Sequence, residues 1–162
     1  MPEGHTIHRA ARDHRRAFAG QKLAVSSPQG RFSDGASLLD AQFCETVEAF
    51  GKHLLYKFQN KLALHIHLGL FGRIRKQRLP LKDPKGAVRV RMACKTHFID
   101  INGPNICEVL DQSRVDALTN RIGPDVLRPD ANPEISFQKI QKSRLPIGRL
   151  IMDQSIMAGI GN

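Results

Sequence analysis

Residues 43–68 read FCETVEAFGKHLLYKFQNKLALHIHL. Two apolar runs, Phe43–Phe50 and His53–Phe58, flank the pair Gly51-Lys52, and such runs joined by a two-residue, Gly-containing link read as a β-hairpin. Leu62, Leu64, Ile66 and Leu68 then alternate with Ala63, His65 and His67, the cleanest period-two pattern in the chain. Alternate side chains of a strand share a face, so the leucines and Ile66 are expected inward and His65 and His67 on the solvent side.

Working outward, further short strands are expected at Lys22–Ser26, Val88–Met92, His97–Ile101 and Ile106–Leu110, the last two joined by the turn Asn102-Gly103-Pro104-Asn105. A helix precedes them: Ile7, Ala10, Ala11 and Phe18 recur at helical spacing, Pro2 and Glu3 suit its start and Gly20 its stop. Its other face carries His8, Arg9, Arg12, Arg15 and Arg16. Beyond residue 113 the texture becomes helical, with helices expected at Ser113–Ile122, Phe137–Ser143 and Ile147–Ala158 and a linker at Arg128–Pro133. The fold class is therefore α+β: an N-terminal helix, an antiparallel β-sandwich over residues 1–127, and the beginning of a helical domain over residues 133–162.

The 162 residues hold 25 Lys+Arg against 15 Asp+Glu, a formal net charge of +10. That excess favours a polyanionic partner, nucleic acid above all, because phosphates exchange condensed cations for Lys and Arg. Apolar residues make up 41% of the chain, which excludes a disordered protein. No apolar run approaches a membrane span and no signal-peptide core stands at the N-terminus, so a soluble, cytoplasmic protein is expected, nucleoid-associated if its polyanionic partner is DNA; with no interface signal in the sequence, a monomer is expected. Cys44, Cys94 and Cys107 are scattered, with no CxxC pair, and are read as reduced side chains that form neither a disulfide nor a zinc site.

Five segments carry chemistry. The chain opens Met1-Pro2-Glu3-Gly4, and Pro followed by Glu is on its own a common helix start. The hairpin link continues as Gly51-Lys52-His53-Leu54-Leu55. His67-Leu68-Gly69-Leu70-Phe71-Gly72 closes the alternating strand, and Gly123-Pro124-Asp125 precedes the linker. The last segment, Asp153-Gln154-Ser155-Ile156-Met157-Ala158-Gly159-Ile160-Gly161-Asn162, ends in closely spaced glycines that let a backbone approach a phosphate.

In this order on a basic chain, these segments resemble the formamidopyrimidine-DNA glycosylase / endonuclease VIII family. The resemblance implies a bifunctional DNA glycosylase and abasic-site lyase of base excision repair that acts on damaged double-stranded DNA. It makes Pro2, freed of Met1, the nucleophile. An α-amine titrates near about 7.7–8.0 against about 10.4 for lysine, so more of it is free base at neutral pH. It makes Glu3 the carboxylate partner of that amine and Lys52 a cation beside the sugar and its phosphate. Leu70 and Phe71 become the wedge that fills the gap left by an everted base, at a stacking cost of a few kcal/mol, and Gly69 a DNA contact beside them. Gln154, Gly161 and Asn162 become DNA contacts in the first half of a helix–two-turn–helix element.

Gly4-His5-Thr6 after Pro-Glu lies closer to the endonuclease VIII branch, which implies oxidised pyrimidines as substrates. Thr6 stands where family members often carry a second acid, which puts the base-release step in doubt. No metal or other cofactor is expected in this chain; the family's structural zinc belongs to a C-terminal region that would follow residue 162. The alternative is a non-catalytic DNA-binding module or an inactive fragment.

Overall fold

The computed structural model describes residues 2–161. Helix α1 spans Gly4–Phe18 and buries Gly4, Ile7, Ala11, His14 and Phe18 at successive three- and four-residue steps. His14 occupies an otherwise apolar stripe because its Nδ1 meets the hydroxyl of the fully buried Tyr56 at 2.7 Å. Burial first, with nearby Lys76 adding to it, pulls its pKa down to about 4, so His14 is neutral in the folded protein.

Two antiparallel four-stranded sheets follow. One has the order β1 (Ala24–Ser26), β6 (Val88–Ala93), β7 (His97–Asn102), β5 (Arg73–Arg78); the other runs β2 (Cys44–Phe50), β3 (His53–Phe58), β4 (Ala63–His67), β8 (Ile106–Leu110). Leu54, Tyr56, Leu64 and Ile66 meet Val90, Met92, Ile99 and Ile101 in one core, which α1 closes with Ile7, Ala11 and Phe18. The α+β reading of a helix followed by an antiparallel sandwich holds.

Three differences from the sequence reading have physical causes. Arg73–Arg78 is a strand despite its charges, because β5 is an edge strand whose backbone pairs only with β7 while its side chains stay largely in water. A short helix α2, Ser33–Leu39, buries Ala36 and Leu39. The histidines of β4 do not share one solvent face: helix α3 (Gln112–Arg121) packs on the outer side of the second sheet through Val115 and Leu118, and His65 is only 2% exposed.

Helix α4, Pro133–Gln141, starts four residues before the expected Phe137, since Asn132 Oδ1 accepts the Glu134 amide and Pro133 begins the first turn. Helix α5 ends at Met152 rather than Ala158. There Asp153 Oδ1 accepts both the amide and the hydroxyl of Ser155, a local bond that competes with helix continuation. Cys44, Cys94 and Cys107 are free thiols, and burial pushes Cys44 and Cys107 up to about 12.

Candidate active site and its relatives

Three backbone segments distant in sequence meet where their residues lack side chains. The Gly4 amide at the start of α1 donates to Gly159 O at 2.9 Å, and Gly159 lies 3.4 Å from Gly51 Cα by the Cβ it does not have. A Cβ on Gly4 would stand 2.9 Å from Gly159 Cα, and one on Gly51 would stand 3.0 Å from the Gly159 amide nitrogen. Gly51 (φ 57°) and Gly159 (φ 93°) also adopt left-handed backbone that other residues rarely take.

Asp125 holds this junction from beneath. It is 4% exposed; Oδ2 accepts the Gly51 amide at 2.6 Å and faces His8 Nε2 at 2.7 Å, while Oδ1 accepts the Leu127 amide at 3.0 Å. Asp125 also forms a parallel bridge with Ala158. One carboxylate thus binds the hairpin turn, α1 and the 124–127 segment. Gln154 shapes the other side of the junction: its Oε1 accepts the Gly159 amide at 2.9 Å and its Nε2 donates to Ile160 O at 2.6 Å. Gly123 packs against the Ile156 carbonyl at a distance that leaves no room for a Cβ.

This frame sets Lys52 Nζ 2.7 Å from Glu3 Oε2, with the two side chains 12% and 15% exposed. Glu3 precedes α1 yet caps no helix amide, because its carboxylate turns to Lys52 instead. Neither carboxylate oxygen has a hydrogen bond of good geometry among the described residues, so among these Oε1 is a buried acceptor without a donor. Gly161 closes over the pair: a Cβ there would fall 2.3 Å from both Glu3 Oε2 and Lys52 Nζ. Pro2, half-buried, lines a separate cavity of about 620 Å³ between α1 and β5, together with Thr6, Leu68 and Gly72.

The structure therefore brings Glu3, Lys52 and Gly161 into contact, with Pro2 one residue from Glu3 and Gln154 supporting the Gly161 turn. Gly69, Leu70 and Phe71 form the tight turn after β4, where the Gly72 amide closes onto Leu68 O and the turn's two ends line the Pro2 cavity. Leu70 and Phe71 are 66% and 85% exposed, far from the core role that apolar side chains ordinarily take. Asn162 lies outside the described residues.

Sequence reasoning underrated two features. Asp125 was signalled only by Gly-Pro-Asp, which does not say that its carboxylate grips residues 74 and 117 positions away. The second is a buried histidine array behind Lys52: His53 Nδ1 meets His65 Nε2 at 2.9 Å, and His65 Nδ1 meets Glu108 Oε1 at 3.0 Å. Burial pulls His53 down to about 3, helped by His65 and His67, and lowers His65 and His67 as well; His67 also feels Lys52. His67 Nδ1 is buried without a hydrogen-bond partner among the described residues. Among the described residues no group of three or more His, Cys, Asp or Glu could hold a metal ion, and no helix is long and apolar enough to cross a membrane.

Comparison with known proteins converges on one family. The family model described as the formamidopyrimidine-DNA glycosylase N-terminal domain matches residues 1–107. Endonuclease 8 1 of Mycobacterium tuberculosis is 47% identical over 166 residues, covering all of this chain and 62% of that protein. Endonuclease 8 of Escherichia coli is 31% identical over 172 residues, covering 100% and 64% respectively. The chain thus spans a little under two thirds of the length of these relatives.

Among solved structures, Lactococcus lactis Fpg (MutM) in complex with DNA containing N7-benzyl-Fapy-dG superposes with a TM-score of 0.82 at 21% identity, over 99% of this chain and 64% of that one. MutM in complex with DNA containing carbocyclic 8-oxo-G gives a TM-score of 0.81 at 21% identity, over 99% and 65%. These two likenesses show the fold. With the family model matching most of its length, the chain belongs to the formamidopyrimidine-DNA glycosylase / endonuclease VIII family and is similar to its endonuclease 8 members.

Proposed function

We propose that this chain carries the amine chemistry of a bifunctional DNA glycosylase and abasic-site lyase that acts on oxidised bases, pyrimidines in particular, in duplex DNA. The observation that carries the reading is the buried Glu3–Lys52 pair, one residue from Pro2 and covered by Gly161. Once Met1 is removed, Pro2 is a secondary amine. It attacks C1′, the C1′–N bond to the base breaks and the base leaves with the amine's proton; the C1′–O4′ bond then breaks as the ring oxygen takes a proton, and the nitrogen lone pair forms the C1′=N⁺ iminium. The resulting iminium acidifies C2′; loss of that proton expels the 3′ phosphate as the C3′–O bond breaks, and water then releases the sugar and restores the amine.

Glu3 Oε1, without a donor among the described residues, orients the amine or shares a proton with the sugar ring oxygen as the ring opens. Lys52 stabilises the departing phosphate by charge in a partly dry site. Thr6 supplies no carboxylate, so base release is the slower of the two steps. Leu70 and Phe71 enter the stack where the base has left, and Gly69, Gln154, Gly161 and Asn162 shape or make backbone contacts. The net charge of +10 and the exposed Arg73, Arg75, Lys76 and Arg78 of β5 support a DNA partner.

The test is intact mass after incubation with an abasic-site oligonucleotide and borohydride. The expected result is a protein lacking Met1 that gains one reduced adduct, absent from protein with one extra residue ahead of Pro2, whose Pro2 nitrogen is then an amide. Met-free protein that binds the oligonucleotide without ever forming an adduct would falsify the lyase and leave a binding module.

A further inference from the structure

We propose that the groove between α1 and the 127–129 segment is a second phosphodiester track, which holds DNA backbone flanking the reacting nucleotide. This rests on the DNA reading of the Glu3–Lys52 site but concerns a different surface. The groove has a volume of about 630 Å³. Arg9, Arg12 and Arg15 line one wall at steps of three residues, each about 4.5 Å further along the helix axis, and Arg128 lines the other.

Charge balance inside the groove favours an external anion. Its one acidic lining residue, Glu48, is already held by Lys57 at 2.5 Å and by Arg128 at 3.7 Å, and Arg128 is itself paired with Asp130 at 2.7 Å, so the unmatched charge is that of the α1 arginines. Among the described residues Arg12 pairs with Asp13 alone, at 3.6 Å, both well exposed. Arg9 and Arg15 make no ion pair among the described residues. The helix dipole accounts for Arg15 and Arg16 in the last turn, but not for Arg9 and Arg12 in the middle. Like charges three residues apart repel one another, so folding alone gives no reason for the row.

The groove also leads to the site. It shares His5 and Leu127 with a smaller cavity of about 320 Å³ lined by Glu3 and Gly161. From Glu3 to Arg15 the helix rises about 18 Å, roughly five nucleotides at about 3.4 Å per phosphate along one strand. A strand leaving the Glu3–Gly161 edge therefore reaches the arginine row without crossing the protein.

The experiment measures duplex binding against salt for the protein and for Arg12→Gln/Arg15→Gln, using an abasic-site duplex with flanks of about 12 base pairs. The same duplex is then cut to about 4 base pairs on one side or the other, shorter than the roughly five the groove needs. On the long duplex the slope of log K against log salt is expected to fall by between about 1 and 2, at roughly 0.9 per lost phosphate contact, with binding weakened tenfold or more. Arg12→Lys/Arg15→Lys restores the slope, and trapping by borohydride on the duplex cut on the groove side is the same in all three proteins.

An unchanged slope on the long duplex overturns the track. So does an equal loss on both truncated duplexes, since the arginines then act at the site itself. Absence of adduct with every protein and every duplex overturns the lyase reading instead, while the salt slopes still decide whether the groove holds backbone.

Discussion

The Gly51 amide donates to Asp125 Oδ2 at 2.6 Å, fixing the turn that carries Lys52 to a segment 74 residues later. The same oxygen faces His8, so α1 and the hairpin turn share one buried anchor. Removing that carboxylate strands at least two amides, those of Gly51 and Leu127. Asp125→Ala is expected to cost about 2–4 kcal/mol by urea unfolding, because each buried amide left unpaired costs roughly 1–3 kcal/mol and relaxation recovers part of it. Asp125→Asn keeps acceptor capacity and should cost visibly less. Equal losses in the two variants would show that charge, and not hydrogen bonding, holds the junction.

Lys52 and Glu3 form a pair that is worth more broken than built. Lys52→Met leaves a mostly buried carboxylate without its counter-charge and should destabilise the fold by about 1–3 kcal/mol. Adding Glu3→Gln removes the uncompensated charge, so the double variant should regain much of that loss while forming no borohydride adduct. The urea midpoints of the four proteins form a double-mutant cycle; strict additivity would mean that the 2.7 Å contact carries no coupling.

Gly161→Ala separates stability from chemistry. Its new methyl would displace the ends of two flexible side chains, Glu3 and Lys52, and not backbone. Adduct formation is expected to fall at least about tenfold while the unfolding free energy falls by only about 1 kcal/mol, less than for Lys52→Met because both charges remain. Gly148→Ala, which meets nothing within 4 Å, is the matched control and should leave both unchanged.

Acid stability follows from the buried histidines. His14 and His53 titrate at about 4 and about 3 in the folded protein, and His65 and His67 are lowered too. Unfolding returns each to its ordinary value of 6.5, so between that pH and the folded values the unfolded chain binds more protons. Stability is then full above pH 6.5 and lost as pH falls towards 4, by up to about 1.4 kcal/mol per pH unit for each histidine kept neutral. Urea midpoints at pH 7, 6 and 5 measure this slope, and His14→Gln should make it shallower. A flat profile over that range would show that these rings take up protons without unfolding.

The sandwich was legible because its strands obey a two-residue period and its turns carry glycine, as in the run from Phe43 to Leu68. β5 was not, since RIRKQR pairs through backbone groups that have no signature in side-chain pattern. Nor was the end of α5, where one Asx bond at Asp153 outweighs the apolar positions Ile156 and Met157. Of the site, Pro2, Glu3, Lys52 and Gly161 could be picked out as short motifs, and the geometry joins the last three. The Asp125 anchor and the His53–His65–Glu108 chain could not, because both depend on distances across strands and segments that a linear pattern does not encode.

The Glu3–Lys52 pair is covered by Gly161, and Gly159 completes the stack of glycines beneath it. During synthesis the amino terminus and the hairpin leave the ribosome long before those residues do, and N-terminal parts generally fold first as they emerge. A growing chain that stops short of residue 159 presents the carboxylate and the ammonium but no cover for them. The cover over the pair is thus the last part of this junction to be synthesised, so the 2.7 Å contact gains its closed surroundings only when residues 159 and 161 join it.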